Sequence, residues 1–439
     1  MKSSVIGLGK LGLPFALFLA SRGQNVICFD KNKKILDLLL KNKSPHIEPK
    51  TSKYLKQYNK KIFITEDLNQ LVYSSNLTHL VLPTPSLKNN SFSNKYLIKC
   101  LEELSVILSK KKNTKHIINI TSTVMPGSCK NIFTKVMEGK GLKNNKDFLI
   151  TYNPHFIAQG TTIYNLENPD FILIGSDNKK NKKLTSYYKK IYNNKVKISV
   201  LNTMEAEIAK IAINSYITTK ITFSNFISEI CQNTKNVDAS SVLDTVGKDH
   251  RIGNSYLGVG TKYSGPCFPR DNKALDYFIK DKTKNSLPNF IDKINNNQTK
   301  RLLEMLKEII KKEKIKKLSI GIYGLTYKDK TSIIKDSQSY DLIKKLRLNY
   351  REIFNVYDEN VKPSQKYLND KRLIYFKKLN NFIQSNKIIF LMYANQKIER
   401  EIIKYKDKII MDCWNRIEEK KENSKIFKLG KKILLYFDR

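Results

Sequence analysis

Three sets of residues in this 439-residue sequence have the types and spacing to do chemistry. The first is a Gly- and Pro-rich stretch, Gly258-Val-Gly-Thr-Lys-Tyr-Ser-Gly-Pro-Cys267-Phe-Pro-Arg-Asp271. Its composition predicts a tight, irregular loop. Its single thiol, Cys267, stands between Lys262 and Arg270, with a carboxylate at Asp271. Cations near a thiol lower its pKa, and the thiolate is the nucleophile. The same residues are compatible with a turn around a buried, inert cysteine. The second set is Lys210 and Asn214, which share a face in a segment of helical periodicity. That segment carries Ile208, Ile211, Ile213, Ile217 and Ile221 on several sides, so a lysine in it needs a reason. A surface Lys–Asn pair is the plainer alternative. The third set is the glycine loop Gly7-Leu8-Gly9-Lys10-Leu11-Gly12.

The elements around the glycine loop define its chemistry. Ser3 to Ile6 reads as a strand, Leu13 to Ala20 as a helix, and Val26 to Phe29 as a second strand ending in Asp30. Strand, G-x-G-x-x-G, helix, strand and acid form the dinucleotide fingerprint in its required context. Gly7 allows the tight turn, Gly9 the approach of a pyrophosphate, and Gly12 the packing of helix on strand. The helix N-terminus offers N–H groups to the phosphates. Asp30 can accept from ribose hydroxyls and repels a 2′-phosphate, which favours NAD over NADP. Two further strands, Thr78–Leu82 and His116–Ile120, each deliver a hydroxyl, Thr84 or Thr123, just past their C-terminal ends. Ligands of open α/β sheets sit at that edge. Capping or turn roles for both threonines stay open.

Further along, Phe171–Gly175 reads as a strand and Lys179–Lys190 as a solvated helix face. A long helix is expected to about Gln232, capped by Asn202 or Thr203 with Glu205 in its first turn. Gln298–Lys312 reads as an amphipathic helix, followed by a lysine-rich linker at 311–317. A second α/β unit follows, with strands at Leu318–Tyr323, Phe354–Tyr357, Ile388–Met392 and Ile409–Met411, and a helix at Ser339–Leu346. It has a Gly324 turn and a terminal acid, Asp358, but lacks the full fingerprint. The fold class is therefore α/β, with two Rossmann-like domains joined by a central helical region. The expected domains are 1–200 for NAD, 201–312 for the helices and catalytic loop, and 313–439 for the second Rossmann-like unit.

Composition narrows the function classes. No apolar run approaches the ~20 residues of a membrane span, and Met1-Lys2 leads directly into a strand with no signal-peptide pattern. A soluble, cytoplasmic protein without a membrane partner is expected. The six cysteines include no C-x-x-C pair and the five histidines are dispersed, which argues against disulfides and metal. The formal charge of +40 is spread over the whole length among asparagines and isoleucines. No stacking aromatics accompany a basic cluster, so the charge argues weakly for nucleic acid and also suits anionic small ligands.

In their order, these segments resemble the UDP-glucose/GDP-mannose dehydrogenase family over essentially the whole chain. The resemblance rests on Gly7–Pro14, Glu48-Pro49, Pro83-Thr84-Pro85, Ser122-Thr123-Val124, Lys210 with Asn214, Asp249-His-Arg251-Ile252-Gly253, the loop to Cys267 and Asp271, and Tyr327-Lys328. It implies NAD-dependent oxidation of a sugar-nucleotide 6-hydroxyl to the carboxylate, most closely UDP-glucose to UDP-glucuronate for polysaccharide precursors, with GDP-mannose or a UDP-N-acetylhexosamine as the alternative substrate. It also implies a thiohemiacetal and thioester on Cys267. Lys210 and Asn214 would donate to the oxygen where charge develops. Asp271 would hold a water or take its proton, and Thr123 would position water or substrate. Arg251 would reach the sugar nucleotide of a neighbouring subunit, implying a homodimer. Phe156, Tyr256, Tyr263, Gly265 and Lys328 would belong to the nucleotide-sugar site, and Gln159 and Lys335 to the cofactor site.

Two departures from the family pattern stand out. The family's Asn-Pro-Glu-Phe-Leu-x-Glu-Gly reads here Asn153-Pro154-His155-Phe156-Ile157-Ala158-Gln159-Gly160. The first lost glutamate is credited with activating the hydrolytic water. A neutral imidazole, with an unperturbed pKa of ~6.5, can also serve as a base, so His155 is expected to substitute, the alternative being a relative impaired in thioester hydrolysis. In the third-domain motif, Thr-x-Asp-x-Arg has become Thr331-Ser-Ile-Ile-Lys335, and lysine cannot reproduce bidentate contacts.

Overall fold

The computed structural model describes all 439 residues except 47, 112–114, 178–180, 335, 362–370, 394, 418–423 and 434–439. The chain folds as two compact units, Met1–Ile213 and Asn214–Arg439.

The first unit is built on strands β1 (Ser3–Ile6), β2 (Val26–Phe29), β3 (Ile62–Ile64), β4 (Leu77–Leu80), β5 (His116–Ile120), β6 (Phe148–Tyr152), β7 (Phe171–Gly175) and β8 (Lys197–Leu201). They form one sheet in the order β3-β2-β1-β4-β5-β6-β7-β8. Only the β6–β7 pair is antiparallel. β1, β4, β5 and β6 are buried at every residue, as expected for parallel strands covered on both faces. The chain leaves β1 toward β2 on one side and reaches β4 on the other. That order places a ligand crevice at the carboxyl ends of β1 and β4. Helix Gly12–Ser21 packs there with every residue from Gly12 to Ala20 buried, which explains its apolar character all round. The segment expected to be a purely solvated face forms helix Lys182–Ile191, which buries Leu184, Tyr187, Tyr188 and Ile191. Their spacing makes one apolar stripe that the many lysines had masked.

Helix Thr203–Gln232 runs for 30 residues. Asn202 is its cap: Glu205 N–H donates to Asn202 Oδ1 and Asn202 N–H donates to the Glu205 carboxylate, both at 2.8 Å. This is a reciprocal capping box.

The second unit adds helices Ala239–Lys248, Phe268–Ile279 and Leu287–Lys312. Its sheet comprises β9 (Ile320–Tyr323), β10 (Phe354–Tyr357), β11 (Leu373–Tyr375), β12 (Ile388–Leu391), β13 (Ile409–Asp412) and β14 (Lys425–Lys428). All pairs are parallel, in the order β11-β10-β9-β12-β13-β14. The helix expected from Gln298 begins at Leu287, with Ser286 Oγ accepting from Asn289 N–H at 3.1 Å. Its first half includes Asn295-Asn296-Asn297, poor helix formers that hide it in the sequence. Among the described residues, no helix is long and apolar enough to cross a membrane.

Candidate active site

The glycine loop closes as its spacing predicts. A Cβ on Gly7 would lie 2.3 Å from the Val81 carbonyl, and one on Gly12 would lie 1.7 Å from the Gly7 carbonyl. Both positions exclude any side chain. A Cβ on Gly9 would meet nothing within 4 Å. Open space at the start of a helix is what a pyrophosphate needs, so the residues present fit a dinucleotide. Lys10 is exposed beside it and Leu11 half-buried. Asp30 braces the loop, with Oδ2 accepting from Leu8 N–H at 2.7 Å and Oδ1 from Asn32 N–H at 2.8 Å. The second sheet repeats the device. Asp358, fully buried, accepts at Oδ2 from Leu325 and Thr326 N–H at 2.7 and 3.0 Å.

The two threonines identified past β4 and β5 meet. Thr84 Oγ1 donates to the Thr123 carbonyl at 2.7 Å. Ser122 Oγ accepts from Leu82 N–H at 2.8 Å and donates to the Leu82 carbonyl at 2.6 Å. Thr123 is thereby fixed through its backbone, with its side chain half-buried.

The segment Asn153–Gly160 is held from below by Glu48. Its carboxylate accepts from Gly160 N–H at 3.0 and 3.1 Å and from Thr162 N–H at 3.0 Å. Lys210, only 6% exposed, donates from Nζ to the His155 carbonyl at 3.0 Å. The same ammonium lies 4.4 Å from the centre of the Phe156 ring, a cation–π contact. Gln159 is half-buried. His155 is at odds with the expectation of a base. Its ring packs against Phe15 at 4.5 Å, and its Nε2 is buried without a hydrogen-bond partner. Burial, with Lys210 adding to it, pushes the imidazole pKa down to about 3. A ring in that position stays neutral but holds a proton poorly, and a general base works best near the operating pH.

In the second unit the thiol lies at the surface, at the start of a helix. Cys267 is the exposed cysteine of the six; the other five are buried. It occupies the N-cap of helix Phe268–Ile279. The positive end of the helix dipole favours an anion there. Asp271, 2% exposed in the first turn, donates its N–H to the Cys267 carbonyl at 2.8 Å. Its Oδ2 accepts from Asn214 Nδ2 at 2.6 Å and its Oδ1 from Arg270 Nε at 3.3 Å.

The loop leading to Cys267 rests on the hidden half of helix Leu287–Lys312. Asn295 bonds both the N–H and the carbonyl of Tyr263, at 2.9 and 3.1 Å, and Gln298 Nε2 donates to the Gly260 carbonyl at 2.7 Å. Tyr263 itself is 5% exposed and its hydroxyl donates to Asp292, which also accepts from Asn272 Nδ2 at 2.9 Å. Its side chain therefore braces the loop instead of lining an open pocket. A Cβ on Gly265 would lie 2.4 Å from the Tyr327 ring, so Gly265 is needed for loop packing. Tyr256 is exposed, 6.2 Å from the Phe268 ring. Arg251 is exposed and makes a two-point contact with Asp249, at 3.0 and 2.7 Å. Lys328 is half-buried, and its carbonyl accepts from the Thr326 and Thr331 hydroxyls. Lys335 lies outside the described residues.

Sequence reasoning assigned no role to Glu48, Asp292 or Glu207, each of which positions a site segment. Glu207 offered the clearest signal, an acid inside a helix apolar nearly all round.

Fold and glycine loop together define a dinucleotide-binding protein. Residues 1–229 match the NAD binding domain of the UDP-glucose/GDP-mannose dehydrogenase family, residues 204–297 its central domain, and residues 321–419 its UDP binding domain. The chain belongs to the UDP-glucose/GDP-mannose dehydrogenase family. It is 28% identical over 387 residues to the UDP-glucose 6-dehydrogenase of Rickettsia bellii, covering 85% of each chain. It is 28% identical over 368 residues to the GDP-mannose 6-dehydrogenase of Pseudomonas putida, covering 82% of this chain and 81% of that one. A UDP-glucose dehydrogenase from Pyrobaculum islandicum has the same fold, with a TM-score of 0.85 at 22% identity, over 99% of this chain and 98% of that one.

Proposed function

We propose that the protein oxidises the 6-hydroxyl of UDP-glucose to the carboxylate, yielding UDP-glucuronate as a polysaccharide precursor. The observation that carries this reading is the exposed Cys267 thiol at a helix N-cap, one turn from a buried Asp271 that Asn214 orients.

Bound NAD supplies the hydride acceptor, two equivalents per sugar. Loss of the first hydride and the hydroxyl proton leaves an aldehyde at C6. The Cys267 sulfur bonds to that carbon and the carbonyl oxygen takes a proton, which holds the sugar on the protein as a thiohemiacetal. Loss of the second hydride and that proton gives a thioester. Water then bonds to the carbonyl carbon, the C–S bond breaks, and carboxylate, thiol and a proton result. Lys210 and Asn214 donate to the oxygen as negative charge develops on it. Thr123 positions water or sugar. Asp271, oriented by Asn214 one turn from Cys267, accepts the proton of the hydrolytic water. Glycine loop, Asp30, Thr84, Gln159 and Lys335 serve the cofactor. Phe156, Arg251, Tyr256, Gly265 and Lys328 serve the nucleotide sugar.

The test is NADH stoichiometry with UDP-glucose, GDP-mannose and a UDP-N-acetylhexosamine. Two NADH per UDP-glucose with a uronate product support the reading; turnover of another sugar nucleotide alone replaces the substrate. The enclosure of His155 favours a second reading, in which hydrolysis is impaired. In that case the protein accumulates as a thioester on Cys267, visible in its intact mass.

A homodimer is part of the proposal. Tyr216, Phe223, Phe226 and Ile230 recur on one face of helix Thr203–Gln232 and are 67%, 46%, 47% and 48% exposed. An apolar stripe of that length suits a second copy of the chain. Aspartate at both Phe223 and Phe226 is expected to give a monomer by light scattering, and an unchanged mass argues for another interface.

A further inference from the structure

We propose that Glu207 is a positioning residue that ties the loop presenting Thr123 to the helix presenting Lys210. The proposal rests on the roles given to Thr123 and Lys210 above. Glu207 is 0% exposed and lies three residues before Lys210 on helix Thr203–Gln232. Both of its oxygens are engaged by one loop. Oε2 accepts from Gly127 N–H at 2.5 Å and Oε1 from Cys129 N–H at 2.8 Å. The loop is pressed onto the same helix, since a Cβ on Gly127 would lie 3.2 Å from Met204 Cε. At its other end, Thr84 holds the Thr123 carbonyl and Ser122 holds Leu82. Thr123 is thus clamped on both sides, and the clamp after it belongs to the helix that sets Lys210 against His155 and Phe156.

Burial is costly for this carboxyl group. It pushes the pKa of Glu207 up to about 7, with the charge of Asp177 adding to the rise and the hydrogen bonds from Cys129 and Gly127 pulling the other way. Asp177 is itself engaged by the Thr203 hydroxyl at 2.9 Å. An apolar residue would pack there without that cost, so the acid is explained by the two amides it binds. Because two N–H groups need two acceptor oxygens, an amide in its place satisfies only one. Misplacement of a positioned group by about 1 Å can cost on the order of 10²-fold in rate.

The experiment is a double-mutant cycle of Glu207→Gln and Thr123→Ala, read as kcat and KM for NADH formation. If Glu207 acts through Thr123, Glu207→Gln lowers kcat roughly tenfold to a hundredfold, leaves the KM for nucleotide sugar within a few-fold, and adds little to Thr123→Ala. Fully multiplicative losses overturn the coupling. Hydrogen exchange at Gly127 and Cys129 reads the clamp without turnover. Faster exchange in Glu207→Gln supports it, and unchanged exchange overturns it, even for a protein that oxidises no sugar nucleotide. Absence of turnover in the unmodified chain bears on the proposed function alone. Should Glu207→Gln fail to fold, Glu207→Asp, one methylene shorter, takes its place in the same cycle.

Discussion

Asn214 donates from Nδ2 to Asp271 Oδ2 across 2.6 Å, and Asp271 returns its own N–H to the carbonyl of Cys267 at 2.8 Å. One helix side chain thereby orients the carboxylate one turn after Cys267. Cys267→Ala is expected to abolish acid formation. Asn214→Ala leaves a buried carboxylate short of a donor and is expected to lower kcat by about 10²-fold, more than it raises KM. Steady-state kinetics with each variant check this, and unchanged acid production by Cys267→Ala removes the thiol from the mechanism.

The buried imidazoles make stability depend on pH. His79, His116 and His155 each have a pKa pushed down to about 3 by burial. The unfolded value of ~6.5 is higher, so the unfolded chain binds more protons between the two. Their contribution is present above pH ~6.5 and is lost progressively as pH falls toward 3, at roughly 1.4 kcal/mol per pH unit for each ring. Urea unfolding is expected to show stability falling from pH 7 to pH 5. His155→Gln is expected to reduce that slope by about one proton; an unaltered slope contradicts the burial of this ring.

Two glycines of one loop are expected to respond differently. Gly12→Ala puts a methyl 1.7 Å from a carbonyl and must shift the helix, lowering both the melting temperature and NAD affinity. Gly9→Ala has room for its methyl in the apoprotein, so it folds normally and loses NAD affinity alone. Calorimetric titration beside thermal melts separates the two. Equal melting losses contradict the geometry.

Tyr263→Phe removes a buried hydroxyl from Asp292 without changing the ring. It is expected to cost about 1–3 kcal/mol of stability and to lower kcat by loosening the loop before Cys267, with a smaller effect on KM. A large rise in the KM for nucleotide sugar with unchanged stability would instead place Tyr263 against the substrate.

Most strands were legible because all or nearly all of their residues are buried. β1, β2, β5, β7 and β10 have the boundaries their apolar runs predict, each ended by Gly, Asp or another polar residue. Among the strands that escaped, β3, β8, β11 and β14 are the edges of the two sheets. They are short, partly exposed and in two cases start with lysine, so they carry no continuous apolar signal. The first half of helix Leu287–Lys312, with its asparagine run, is hidden for a related reason. Asn295 bonds the loop before Cys267 while Asn296 and Asn297 are exposed, and propensity alone does not tell the three apart.

The linear order of glycines, acids and thiol determined the cofactor loop, the two α/β units and the candidacy of Cys267. Turn geometry and helix periodicity are local properties, and spacing reports them directly. What His155, Tyr263 and Glu207 do was decided only by the tertiary structure. A histidine reads as a base, a tyrosine as a ligand contact and a glutamate as a surface acid until distant segments close around them. Phe15 encloses His155 from 140 positions away in the chain, Asp292 captures Tyr263, and the Gly127 and Cys129 amides occupy Glu207. Desolvation and hydrogen bonding set the protonation and orientation of such groups.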